Sequence, residues 1–117
     1  MTLTQQGTDP DRRSSPRFLA KDGASATCRA GVSGQGDDVA LALLNVSACG
    51  LCLALKEPLA RGQAVAVSLL APGWPRPLTR LGVVVWCDEA GPAGPAAGLL
   101  LSRPLGRHEL RDLCDAS

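Results

Sequence analysis

Three arginines, Arg12, Arg13 and Arg17, crowd the stretch Asp11-Arg-Arg-Ser-Ser-Pro-Arg-Phe18, which Pro16 keeps out of a regular helix. Guanidinium forks at this density suit phosphates and the O6/N7 edge of guanine. Some thirty residues on, Asn45-Val-Ser-Ala-Cys-Gly50 sets a carboxamide, a hydroxyl and a glycine at the spacing Asn-x-Ser-x-x-Gly. Small polar groups beside a glycine let a flat ligand approach the backbone, and Gly50 equally permits a bend or bulge. Asn45 and Ser47 have a second use, since a turn can satisfy its own backbone through such side chains. One polar turn can do both.

The elements that must hold these groups are short and extended. A chain of 117 residues is one domain, with residues 1–11 expected as a flexible tail and 12–117 as the folded unit. Thirteen glycines and nine prolines imply many turns. Strands are expected over residues 24–32, 39–44, 50–55, 63–70, 78–88 and 97–102. Leu51, Leu53 and Leu55 alternate against Cys52 and Ala54, and Val83-Val-Val-Trp86 is the most β-branched run. A short helix is expected over 104–114, with Leu110, Leu113 and Cys114 on one face and Gly106 weakening its first turn. The tally is a mainly β fold: a six-stranded antiparallel β-barrel with a short C-terminal α-helix. Trp86 is expected to pack inside it; for Trp74, among three prolines, contact with a partner is the lesser of two readings.

Bulk properties restrict function. A formal net charge of +1 provides no global field for a nucleic acid polymer or an anionic membrane. No apolar run approaches the roughly 18 residues of a membrane span. The polar N-terminus lacks a signal-peptide layout, so the expected location is cytoplasmic. Five cysteines without a framework spacing fit reduced thiols.

Arg13-Ser-Ser-Pro-Arg17 as Arg-x-x-x-Arg, Asn45-Val-Ser-Ala-Cys-Gly50, and Gly82-Val-Val-Val-Trp86 followed by Ala97-Gly-Leu-Leu-Leu101 occur in an order that resembles the PilZ domain family. That family is the bacterial receptor module for cyclic di-GMP, and the resemblance covers Arg12 to Cys114. It implies a non-enzymatic receptor or adaptor whose ligand is cyclic di-GMP, with no cofactor or metal. It also implies an effector protein as partner, because so short a module acts through another protein. Arg13 and Arg17 become the main ligand groups and Arg12 a third, which in the family can favour an intercalated ligand pair. Asn45 and Ser47 would bond the guanine and phosphate, and Gly50 would give room. Binding would then order the arginine segment against the barrel. The closing strand departs from the family pattern, with Leu-Leu-Leu-Ser after Gly98 where Gly-Val-x-Phe is common.

Two other functional readings differ in class. The first is a PilZ-like interaction adaptor that does not bind nucleotide. The second is a thiol oxidoreductase using Cys49-Gly-Leu-Cys52, which would need its first cysteine at a helix N-terminus, whereas alternating residues follow Cys52. Cys28, Cys87, Cys114 and His108 are too scattered in sequence to read as a zinc site. His108 beside Glu109 is a poor general base, and Asp37-Asp38 read as a solvated turn.

Overall fold

The computed structural model describes residues 17–31, 36–89 and 94–114. Within these the strands are β1 (Phe18–Leu19), β2 (Ser25–Ala30), β3 (Ala40–Val46), β4 (Gly50–Leu55), β5 (Ala64–Leu70), β6 (Leu78–Asp88) and β7 (Ala96–Leu101), followed by α1 (Arg107–Leu113). All pair antiparallel in one sheet of order β1-β3-β4-β7-β6-β5-β2. The sheet curls until β2 meets the start of β3, where Val39 N–H donates to Cys28 O at 2.8 Å and Arg29 bridges Asp38. Mainly β with a terminal helix matches the expectation. The strand beyond the expected six is β1, two residues too short to show a period.

Alternation decides the inner face. Leu51, Leu53, Leu55, Val65, Val67, Leu69, Val84, Leu99 and Leu101 point into one buried cluster. One end is stoppered by Leu105, Leu110 and Leu113 of the helical segment. Gly106 precedes the helix, which explains why α1 starts at Arg107 rather than 104. Glu109 holds that start, accepting the Gly106 N–H at 2.7 Å and pairing with Arg80 at 3.5 Å.

For single residues the structure decides one open reading and overturns two expectations. Trp74 packs against the core and donates its indole N–H to Asp112 at 2.9 Å, so the proline loop is tied to the helix. Trp86 lies outside that cluster. A register shift between Val84 and Trp86 breaks the alternation of β6. Val84 remains inside, while Trp86 comes opposite Gly98 on the outer face. Asp38 is a stitch rather than a solvated carboxylate, its Oδ1 accepting the N–H groups of Cys28 at 2.8 Å and Ala40 at 3.0 Å.

Candidate functional site

The β3–β4 turn is built by the Asn-x-Ser-x-x-Gly residues themselves. Ser47 N–H donates to Gly50 O at 2.8 Å, and Gly50 N–H donates to Ser47 Oγ at 3.0 Å. Ser47 is buried, and its hydroxyl closes the turn in the manner that small polar side chains do. The carbonyl of Ala48 accepts the Leu105 N–H at 2.7 Å, and that of Cys49 accepts the Leu101 N–H at 2.8 Å. The turn is thereby locked to the end of β7. Gly50 has no alternative, since a Cβ there would stand 2.6 Å from Leu99 O.

Asn45 is the member of this motif left for other work. It sits at the end of β3, partly buried, with no side-chain hydrogen bond among the described residues. Pairing sets its surroundings: Leu19 on one side, Cys52 on the other. Cys52 pairs in turn with Gly98, and Gly98 with Trp86. Because Val46, Leu51, Leu53, Ala97 and Leu99 all face the core, the row Asn45–Cys52–Gly98–Trp86 faces outward.

Trp86 closes this row. Its indole lies so close over Gly98 that a Cβ at that position would overlap the ring. A half-buried aromatic laid against the outer face of a sheet can serve as a stacking surface. Sequence reading missed it because counting by twos from Val84 sends Trp86 inward. The usable signal was Gly98, a glycine inside a strand that marks a close approach.

The arginine stretch enters at the other end. Phe18 pairs with Val46 and Leu19 with Asn45; the same register continued by one residue brings Arg17 alongside Ser47, on the face that carries Asn45. Arg17 is exposed, and its charge acts on the Cys52 thiol. Burial raises the pKa of that thiol, and Arg17 opposes the rise only in part. Arg12 and Arg13 lie outside the described residues. The structure therefore brings together Arg17, Asn45 and the Ser47–Gly50 turn, and adds Cys52, Gly98 and Trp86.

The rival chemistries have no such support. Cys49 lies in the turn and Cys52 in a strand, so no helix N-terminus activates either, and the Cys52 pKa moves away from thiolate formation. Among the described residues no group of three or more His, Cys, Asp and Glu side chains could hold a metal. His108 is exposed on α1, its Nδ1 2.8 Å from the Arg111 guanidinium. An open hollow by Asp37, Asp38, Val39, Lys56 and Glu57 is too acidic for an anionic ligand and involves none of the outer row. No helix of the described residues is long and apolar enough to cross a membrane.

The model of the PilZ domain matches residues 11–114, nearly the whole sequence. The chain belongs to the PilZ domain family. PilZ is the cyclic di-GMP receptor family, a ligand-binding and adaptor domain and not a known enzyme family. The matched span begins before Arg12 and takes in both PilZ motifs, the bulged strand β6 and α1. No curated protein matches the sequence.

Proposed function

We propose that this PilZ domain binds cyclic di-GMP on the outer face of β3, β4 and β7 and passes the signal to an effector protein. The observation that supports the reading is the pairing of β1 with β3, Phe18 on Val46 and Leu19 on Asn45, which leads the chain from Arg17 onto the strand that carries Asn45. A cyclic dinucleotide needs two cations for its phosphates and flat surfaces for its purines. Arg17 and Arg13 supply the charge-assisted forks, Asn45 a carboxamide free to read a base edge, and Trp86 an aromatic face. Arg12 is the third cation and controls whether one or two ligand molecules are held. Ser47 and Gly50 act through the backbone: they shape the turn that presents Asn45.

Among the described residues the arginine stretch runs from Arg17 into β1, the edge strand of the sheet. Ligand contacts by Arg12 and Arg13 would pin that stretch to the outer face, changing the surface an effector meets. The reaction with ligand is binding alone, without catalysis, in the cytoplasm.

Isothermal titration with cyclic di-GMP tests this. Wild-type protein is expected to bind saturably. Arg13→Ala and Arg17→Ala are each expected to weaken binding by about tenfold or more, corresponding to the ~1.5–3 kcal/mol of a hydrogen bond to a charged group. Arg12→Ala is expected to change the stoichiometry. The competing reading is an adaptor without nucleotide binding, which the engagement of the Ser47 hydroxyl within its own turn favours. Absence of heat with the wild type at high ligand concentration would establish that reading and reject ours.

A further inference from the structure

The outer face of β5, β6 and β7 carries large apolar side chains in the open. Leu81, Val83 and Leu100 are 41%, 42% and 52% exposed. They form one strip: Leu81 and Val83 are two residues apart on β6, and Val83 pairs with Leu100 of β7. Ala66 and Ala64 of β5 pair with Leu81 and Val83 and extend the strip without a charge. Apolar side chains exposed singly need no explanation, whereas a contiguous group of them marks a contact surface.

Two features select what covers it. The first is that the backbone here is already used. β6 lies between β5 and β7, and β7 between β6 and β4, so no free edge adjoins the strip and a partner cannot add a strand there. The partner has to offer side chains, as an amphipathic helix does. The second is a cationic rim. Gly62 N–H donates to Val84 O at 2.7 Å, which sets the exposed Arg61 at the Val83 end. Ser102 N–H donates to Leu81 O at 2.8 Å, which sets the exposed Arg103 at the Leu81 end. Arg29 pairs with Ala66 along a third side, its guanidinium also donating to Gly36 O at 2.8 Å. The only acid in β2, β5, β6 and β7 is Asp88, the last residue of β6. A second copy laid face to face would set arginine against arginine, whereas carboxylates beside an apolar stripe would meet these cations. We infer that the strip of Leu81, Val83 and Leu100 is the docking face for the effector, and that the effector presents an amphipathic helix whose apolar stripe is bordered by Asp and Glu. This deepens the effector half of the reading above; it rests on the protein acting through a partner and not on nucleotide binding.

Two fluorescein-labelled synthetic helices of about 18 residues, or five turns, serve as probes. Both carry leucines at the spacing i, i+3, i+4, i+7; glutamates border the stripe in one and lysines in the other. Fluorescence anisotropy is expected to show saturable binding of the glutamate helix, about tenfold or more tighter than the lysine helix. The double variant Arg61→Glu, Arg103→Glu is expected to invert that preference, a result that loss of folding cannot imitate. Leu81→Ser with Val83→Thr is expected to weaken the glutamate helix about fivefold or more, with thermal melts to verify folding. Sedimentation velocity is expected to show a monomer. No saturable binding of the glutamate helix, equal affinities for the two helices, affinities unmoved by either double variant, or a dimer that Leu81→Ser with Val83→Thr dissociates, overturns the assignment. Calorimetry with cyclic di-GMP is run on the same wild-type protein. Nucleotide uptake without helix discrimination keeps the receptor reading and removes this docking face; helix discrimination without nucleotide uptake does the reverse.

Discussion

The two tryptophans mark two regions that use an aromatic ring in opposite ways. Trp74 is fastened: it packs on the core and its N–H is held by Asp112 across a gap of 38 residues in sequence. Trp86 is displayed. A bulge swings it out of the core, a glycine lets it lie close against the sheet, and no hydrogen bond among the described residues constrains its N–H. The end of the barrel covered by α1 is therefore built for stability, while the outer row keeps ring face, carboxamide and cation available. The same strands serve both, because successive residues point to opposite faces.

The sharpest way to break this contrast uses two glycines of neighbouring strands, Gly50 in β4 and Gly98 in β7, which differ in what they adjoin. A Cβ at Gly50 meets the carbonyl oxygen of Leu99, backbone that cannot turn away. Gly50→Ala is expected to destabilise the fold by about 1–3 kcal/mol, measured as a lower midpoint in urea. A Cβ at Gly98 meets a side chain that can rotate. Gly98→Ala is expected to leave the urea midpoint nearly unchanged while displacing the indole. In a Trp74→Phe background, which leaves Trp86 as the only indole, its emission is expected to shift to the red. Cyclic di-GMP affinity is expected to fall about tenfold, or ~1.4 kcal/mol. Equal losses of stability in the two alanine variants would erase the distinction between a glycine kept for the fold and one kept for the site.

Trp74→Phe sharpens the contrast from the fastened side. It keeps an apolar ring and removes the N–H donor, so about 1 kcal/mol of stability is expected to disappear. Asp112→Asn, which retains an acceptor, is expected to cost less. Neither should alter nucleotide affinity, because Trp74 and Asp112 lie in the loop and helix at the stoppered end. A Trp74→Phe protein with weakened binding would mean that the two regions are not independent.

Much of this division was legible in the residues. The inner face of β4 follows from the alternation of Leu51, Leu53 and Leu55, and the Asn45–Gly50 turn from residue types that make turns. Arg17 could be paired with that turn only through the family resemblance, because β1 is two residues long and carries no period of its own. Trp86 was read the wrong way round for a physical reason. A bulge shifts the phase of a strand by one residue without requiring any particular side chain, so Val83-Val-Val-Trp86 looked like an unbroken inward alternation. Three prolines made the Trp74 loop look detached, and the partner that holds it, Asp112, comes from a helix far along the chain. Asp38 was misread in the same way, since its acceptors' role depends on β2 and β3 being brought together.

The smallest expected effect separates the two regions by pH. Cys28 is fully buried in the core, and its thiol is pushed up to about 11, first by burial and then by the neighbouring Asp38 carboxylate. In the unfolded chain the same thiol ionises near 9. Below pH 9 both states hold the proton, and the group contributes its full stability. Between 9 and 11 the unfolded chain loses that proton while the folded protein retains it, so stability falls as the pH rises. The chain has no tyrosine to titrate in this window, which makes the decline easier to assign. Urea midpoints are expected to stay level from pH 7 to 8.5 and then drop towards pH 11. Cys28→Ala should start from a lower midpoint, because it leaves a small cavity, and then decline less steeply. Cys52 shifts in the same direction, but Arg17 counteracts it, so Cys52→Ser should flatten the curve less than Cys28→Ala. The reverse order would mean that burial on the outer row outweighs burial in the core.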